Sequence, residues 1–247
     1  MAWRSHGTSN ETLVQQLWRN GLIKNERVRD AFLKVDRGHY APRNPYNDSP
    51  QSIGHAATIS APHMHASAVE HLVERIVDPD VSAPRVLDIG CGSGYLTHIL
   101  AELVGDKGMV VGLEHIPQLR DLSESNMRKS PEGSAFLDSG RVRFRVGDGR
   151  KGWVEPPPSP TRTGEGEGGS SDSSGWDVIH VGAAAATLHS ELVEQLRMPG
   201  RMFIPIEDED GYGGQSVWVI DKDREGKVGK RRLFGVKYVP LTDGPGM

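Results

Sequence analysis

The run Val86-Leu87-Asp88-Ile89-Gly90-Cys91-Gly92-Ser93-Gly94-Tyr95-Leu96-Thr97 constrains the fold more than any other part of the chain. An apolar strand passes through three alternating glycines straight into a helical pattern. Glycine lets the backbone approach a ligand closely, and the start of a helix offers free N–H groups beside it. Several α/β folds that bind nucleotide-like ligands share such a turn, and a tight turn without a ligand is the plain alternative. Tyr95 stands where a dinucleotide fingerprint has its third glycine, which counts against a nicotinamide dinucleotide.

The surrounding pattern predicts strands over 85–89, 109–113, 142–146, 176–181 and 201–206, with helices over 95–104, 118–128 and 188–196. Strands alternating with helices imply a mainly parallel sheet with helices on both faces. Segments 216–220 and 233–239 read as strands with no helix between them, hence an antiparallel hairpin at the sheet edge joined by a charged turn over 221–232. Upstream, helical spacing predicts two short helices within 11–35, broken near Gly21, and a third over 64–76. Pro62 suits the first turn of that third helix and Ser60 is placed to cap it. Between them, 37–59 reads as a long irregular segment rich in proline and Asn/Asp turn formers. The stretch 155–175, EPPPSPTRTGEGEGGSSDSSG, is too polar to join a core and is expected to be a disordered surface insertion.

Composition excludes more than it selects. A net charge of -4 with interspersed signs offers no basic face for nucleic acid or an anionic membrane, so neither partner is expected. One cysteine, Cys91, excludes an intramolecular disulfide and suits a reducing compartment. The opening MAWRSHGTSN lacks an apolar signal region, and no segment approaches the roughly 20 apolar residues of a membrane span. A cytoplasmic protein is expected. No long apolar surface stripe remains once the core is assigned, which favours a monomer.

Three acids end three successive strands. Asp88 precedes the glycines, where a carboxylate suits a cationic ligand such as S-adenosylmethionine and would repel a pyrophosphate. Glu114, about 20 residues on, is placed to hold ribose hydroxyls, and Asp148-Gly149 to read an adenine amino group. Each acid alone also has a plain reading, as a turn residue or, for Glu114, a surface glutamate. Together they resemble the binding crevice of class I methyltransferases, whose Rossmann-like sheet also ends in an antiparallel strand, over roughly residues 85–206.

A second set of motifs is similar to the substrate-side sequences of protein-L-isoaspartate (D-aspartate) O-methyltransferases. These are Asp48-Ser49-Pro50-Gln51-Ser52-Ile53-Gly54, Ala57-Thr58-Ile59-Ser60-Ala61-Pro62-His63-Met64-His65, His180-Val181-Gly182-Ala183-Ala184-Ala185 and Tyr238-Val239-Pro240-Leu241-Thr242-Asp243. The match also takes in Met1-Ala2-Trp3 and the segment from Asp36-Arg37 to Tyr46. The resemblance implies one methyltransferase domain over 1–247, with 1–80 helical and substrate-facing and 81–247 forming the cofactor-binding sheet. It implies S-adenosylmethionine as cofactor, and isoaspartyl-containing proteins and peptides as substrates, methylated on the free α-carboxylate to begin repair through a succinimide. By the same resemblance Ser60 is the active-site serine, and Ala57, Thr58, Ile59 and His65 complete the ligand-facing surface. Asp88, Gly90, Gly92, Ser93, Gly94, Glu114, His115, Asp148, Gly149 and Thr242 face the cofactor, and no residue is assigned to a metal. Cys91 stands where many members of the family have a small residue such as serine, Glu114 where an aspartate is also common, and the 155–175 insertion is long for the family. Read from the residues alone, Ser60 is an N-cap and His65 a histidine satisfied on a helix face. The rival functions are methylation of another substrate class and a catalytically silent cofactor-binding module.

Overall fold

The computed structural model describes residues 5–155, 175–208 and 213–242. The sequence reading of 155–175 as a disordered insertion falls almost entirely on residues outside these, as do Met1-Ala2-Trp3 and Asp243.

Two amphipathic helices open the chain, α1 (Asn10–Arg19) and α2 (Glu26–Lys34). Ser9 and Thr12 form a capping box at the first, and Asn25 caps the second. A short hairpin follows, β1 (Gln51–Gly54) and β2 (Ala57–Ile59), leading into α3 (Pro62–Ile76). The remaining elements are β3 (Arg85–Ile89), α4 (Tyr95–Leu103), β4 (Met109–Glu114), α5 (Pro117–Met127), α6 (Pro131–Asp138), β5 (Val142–Val146), β6 (Trp176–Val181), α7 (Ser190–Glu194), β7 (Leu196–Glu207), β8 (Gln215–Lys222) and β9 (Val228–Val236).

The main sheet has the order β5-β4-β3-β6-β7-β8-β9. Strands β3 to β7 are parallel, and β8 runs antiparallel to both β7 and β9. Side chains alternate between two apolar layers, as a two-faced sheet requires. Val86, Val110, Val142 and Val178 enter one layer together with Leu13, Leu17, Phe32, Val69 and Leu72 from α1 to α3. Leu87, Ile89, Val111, Leu113 and Ile179 enter the other, covered by Leu192 of α7 with Trp153, Leu188 and Leu241 packed against it. The first layer ties the amino-terminal helices to the sheet, with α3 packed on β6 and β7.

Several elements differ from the sequence reading, and each difference has a local cause. Segment 37–59 contains the β1/β2 hairpin, too short for a two-residue period to stand out among its turn formers. Ser60 does not cap α3. Its N-cap is Ala61, without a side-chain bond, and the carboxylate of Asp48 accepts the N–H of His63 at 3.0 Å instead. An acid 15 residues away in sequence thus serves the helix start. Helix α6 buries only Gly133, so its apolar signal is weak, although Ser130 caps it and Pro131 begins it. The helix expected over 188–196 contracts to α7, because 196–200 joins β7 and pairs with β6 and β8. The last strand lies at 228–236, since pairing with β8 extends both strands and leaves only 223–227 as the turn.

The glycine turn between β3 and α4 occupies a backbone region closed to most side chains. Gly90, Gly92 and Gly94 have φ of 71°, 56° and 84°. At Gly94, the N-cap of α4, an added Cβ would lie 3.1 Å from the Cα and carbonyl oxygen of Ser123. Gly94→Ala is expected to lower unfolding stability by about 1–3 kcal/mol, from left-handed strain and displacement of α5. Urea denaturation checks this, and an unchanged midpoint would mean the turn is not under that constraint.

Candidate active site

The carboxyl ends of β3, β4, β5 and β6 converge with the β1/β2 hairpin and the returning segment 238–242. That segment is held over the sheet by hydrogen bonds from Ala184 N–H to the Val239 carbonyl and from Leu241 N–H to the Ala184 carbonyl. Three connected spaces result. A cavity of about 280 Å³ is walled by Ala57, Thr58, Gly90, Gly92, Glu114, His115, Gly149 and Thr242, with Leu113, Ile116 and Leu119 as its apolar side. A narrow chamber of about 30 Å³ lies behind it, faced by Ile59, Ser60, His65, Asp88, Ser93, His180 and Tyr238. An open groove of about 510 Å³ begins at Ser60, Thr58, Gly182 and Tyr238 and runs past His63, Met64, Lys237 and Val239. Thr58 and Gly182 border all three spaces.

Of the expected residues, Gly94 and Asp148 line none of the three spaces. Gly94 shapes the turn. Asp148 accepts bonds from Arg150 Nε at 3.0 Å and Nη2 at 2.8 Å, and that guanidinium holds its carboxyl below the usual range. Its neighbour Gly149 does reach the cavity, where a Cβ would stand 2.4 Å from Ile89 Cγ2. A side chain there would displace the floor of the site.

The two acids nearest the turn are engaged differently. Asp88 is buried, and its oxygens accept from Thr97 Oγ1 at 2.6 Å and His180 Nδ1 at 2.8 Å. It therefore joins β3, α4 and β6 while forming one wall of the chamber. Glu114 accepts the N–H groups of Gly92 at 3.0 Å, His115 at 2.8 Å and Ile116 at 3.2 Å. Oε1 takes the His115 and Ile116 N–H groups and lies 3.0 Å from His115 Nδ1, whereas Oε2 takes only the Gly92 N–H and keeps an acceptor position for a donor in the cavity.

Ser60 sits where chamber and groove meet. Burial pushes the Tyr238 phenol up to about 12, a rise opposed by its hydrogen bond with Ser60. Burial, then the charge of Arg37, holds His65 well below the ordinary histidine range, so its ring is neutral near pH 7. Arg37, His180 and Tyr238 were not assigned to the site from sequence. Each lies in a motif already noted, but only the packing shows that His180 and Tyr238 line the chamber and that Arg37 touches Ser60 and His65.

Cys91 is a packing residue. Its thiol lies 3.6 Å from Ser123 Oγ, and burial followed by the charges of Glu114 and Asp88 raises its pKa well above the ordinary value. A thiolate is therefore scarce, and it is the thiolate that reacts.

Comparison with known proteins bears on what these spaces serve. The family model described as Protein-L-isoaspartate(D-aspartate) O-methyltransferase matches residues 8–161 and 159–246. A Caenorhabditis elegans protein-L-isoaspartate O-methyltransferase is 44% identical over 242 residues, covering 98% of this chain and 96% of the relative. A Triticum aestivum protein of the same name is 40% identical, covering 94% and 91%. A Plasmodium falciparum protein-L-isoaspartate O-methyltransferase, crystallised with S-adenosyl-L-homocysteine, superposes with a TM-score of 0.77 at 29% identity, covering 96% of this chain and 99% of that one.

Two outcomes follow from the geometry. Asp88→Ala strands the Thr97 hydroxyl and the His180 N–H in the interior and is expected to cost about 2–5 kcal/mol in denaturant unfolding. A loss under 0.5 kcal/mol, roughly the scale of an ordinary surface substitution, would contradict the buried tie. Cys91 is expected to stay unmodified by an aromatic disulfide reagent at pH 8 in the native protein and to react at once in guanidinium. Rapid colour without denaturant would show the thiol accessible.

Proposed function

The chain belongs to the protein-L-isoaspartate(D-aspartate) O-methyltransferase family, and from that premise we infer how its crevice works. The protein is an S-adenosylmethionine-dependent enzyme that methylates the free α-carboxylate of L-isoaspartyl residues, and of D-aspartyl residues, in damaged proteins and peptides. When bound, S-adenosylmethionine supplies a methyl group on a sulfonium centre. The observation that carries the site assignment is the meeting of the narrow chamber and the open groove at one serine, Ser60, with Thr58 and Gly182 bordering the larger cavity as well.

The residues present fit that cofactor. Leu113, Ile116 and Leu119 give an apolar slot for a flat ring, the remaining acceptor position of Glu114 suits a ribose hydroxyl, and the glycine turn permits close approach. Asp88, Ser93 and His65 face the chamber behind it. Asp148 acts at one remove, by capping the turn Gly149–Lys151 through Arg150.

The groove is the substrate side. An α-carboxylate is ionised well below neutral pH, so it needs no base to become a nucleophile. Its oxygen forms the new bond to the methyl carbon as the carbon–sulfur bond breaks and sulfur keeps the electron pair. No proton moves, and the residues have only to hold the reacting atoms in line. Ser60 donates its hydroxyl to the carboxylate, and Tyr238 and Thr58 form the walls around it. The resulting methyl ester is then attacked by the next backbone nitrogen, expelling methanol and closing a succinimide. The groove is open and lined along one side by 235–239, which suits damaged sites in many sequence contexts.

Four broader readings complete the proposal. The chain acts as one domain, supported by the apolar layer that joins α1, α2 and α3 to the sheet. It acts as a monomer, supported by the open groove. The interspersed charges give nucleic acid and membranes no surface, and among the described residues no helix is long and apolar enough to cross a membrane. A cytoplasmic setting suits its lone, buried, free cysteine.

Two peptides, identical except for isoaspartate or aspartate at one position, test the reading with labelled S-adenosylmethionine. Base-labile label is expected only in the isoaspartyl peptide, and equal labelling of both would overturn the specificity. Ser60→Ala removes one hydrogen bond to a charged group, expected to lower kcat about 10- to 100-fold while S-adenosylhomocysteine binding changes less than about threefold. Unchanged kcat would remove Ser60 from the mechanism.

A further inference from the structure

Arg37 contacts none of the three spaces, yet it is fully buried. Burial pulls its guanidinium down to about 10, and among the described residues its Nε has no hydrogen-bond partner. A methionine would fill the volume without burying a charge, so packing alone gives no reason for an arginine. The reason lies in what the guanidinium touches. Nη2 donates to the Ser60 carbonyl at 2.8 Å, Nη1 lies 3.3 Å from His65 Nδ1, and the group rests 5.0 Å from the centroid of the Tyr95 ring. Asp48, also fully buried, acts as its counter-charge and holds the first turn of α3 through His63.

The donor and acceptor chemistry of this contact has one solution. A guanidinium has five N–H donors and no acceptor. His65 Nδ1 must therefore accept, and the proton of the neutral imidazole sits on Nε2. His65 faces the narrow chamber with Ser60, Asp88, His180 and Tyr238. We propose that Arg37 is a positioning residue of the active site: it locks His65 as the Nε2–H tautomer, so the ring serves the chamber as a neutral donor, and it clamps the Ser60 peptide so the hydroxyl stays at the mouth of the groove. Without it the imidazole is free to move its proton to Nδ1, which turns a donor into an acceptor beside Asp88. Lysine keeps the charge but has no rigid fork to meet both partners at once.

The structural half of this inference stands independently of the substrate; the kinetic half rests on the methyl-transfer reading. Long-range proton–nitrogen correlation spectra of nitrogen-15-labelled protein, with His65→Gln to assign the ring, report the tautomer directly. Wild type is expected to show a neutral His65 protonated on Nε2, Arg37→Met to show the Nδ1–H form or a mixture, and Arg37→Lys an intermediate. With the isoaspartyl peptide, kcat is expected to fall at least tenfold in Arg37→Met and less in Arg37→Lys. An Nδ1–H tautomer in wild type, or an Arg37→Met protein with both tautomer and kcat unchanged, overturns the inference. If Arg37→Met does not fold, the wild-type spectrum and Arg37→Lys decide it. If wild type does not methylate the peptide, the functional reading falls, and the tautomer measurement alone decides the role of Arg37.

Discussion

The crevice depends on one buried carboxylate. Asp88 lies in the middle of the sheet, paired in register with Gly112 on one side and His180 on the other, and it points into the interior. Burying a carboxylate costs several kcal/mol unless its lone pairs are met, and here Thr97 and His180 meet them. The consequence is geometric. The bond to Thr97 closes the chain segment containing the glycine turn, and the bond to His180 fixes the neighbouring strand, which stacks its ring on Phe203 of β7 at 5.9 Å. The turn, the chamber wall and the start of α4 thus share one anchor.

A second buried charge system lies under the opposite wall. Arg37 and Asp48 hold the segment 60–65 from below, one through the Ser60 carbonyl and His65, the other through the backbone and ring of His63. Ser60 therefore lies between two buried charge systems, Asp88 in the sheet and the Arg37/Asp48 pair in the segment that follows the amino-terminal helices. This arrangement explains why a small helical region precedes a sheet that already contains a complete glycine turn. Both parts of the chain build both spaces: Ala57 and Thr58 join the strand ends around the cavity, and Ser60, His63 and Met64 face 235–239 across the groove.

The three strand-end acids illustrate how one sequence pattern resolves into different physical duties. Asp88 turns inward as an anchor, Glu114 organises the backbone of the turn while keeping one acceptor position for the cavity, and Asp148 pairs with Arg150 and acts through Gly149. Their common placement follows from parallel strands, which bring all their carboxyl ends to one edge of the sheet. Their separate duties follow from which neighbour each side chain meets.

The alternation of strands and helices, the glycine turn and the apolar patterning of the parallel strands are local, and they determined the α/β sheet and the edge at which the three spaces open. β3 and β6 were legible to the residue as short, mostly apolar runs, and β5 as the two-residue alternation Val142-Arg143-Phe144-Arg145-Val146. The motifs around Ser60 and Tyr238 were legible as family resemblances. Local pattern did not show that Asp48 rather than Ser60 serves the start of α3, that β6 and β8 draw 196–200, and β8 draws 228–232, into strands, or that Arg37 reaches His65 across 28 positions of chain. These are pairings between distant segments, and a side chain's partner is chosen by which groups the folded sheet leaves buried and unsatisfied. Sequence determined where the site is; tertiary structure decided which atoms hold it in place, because hydrogen bonds to buried charges are set by proximity in space.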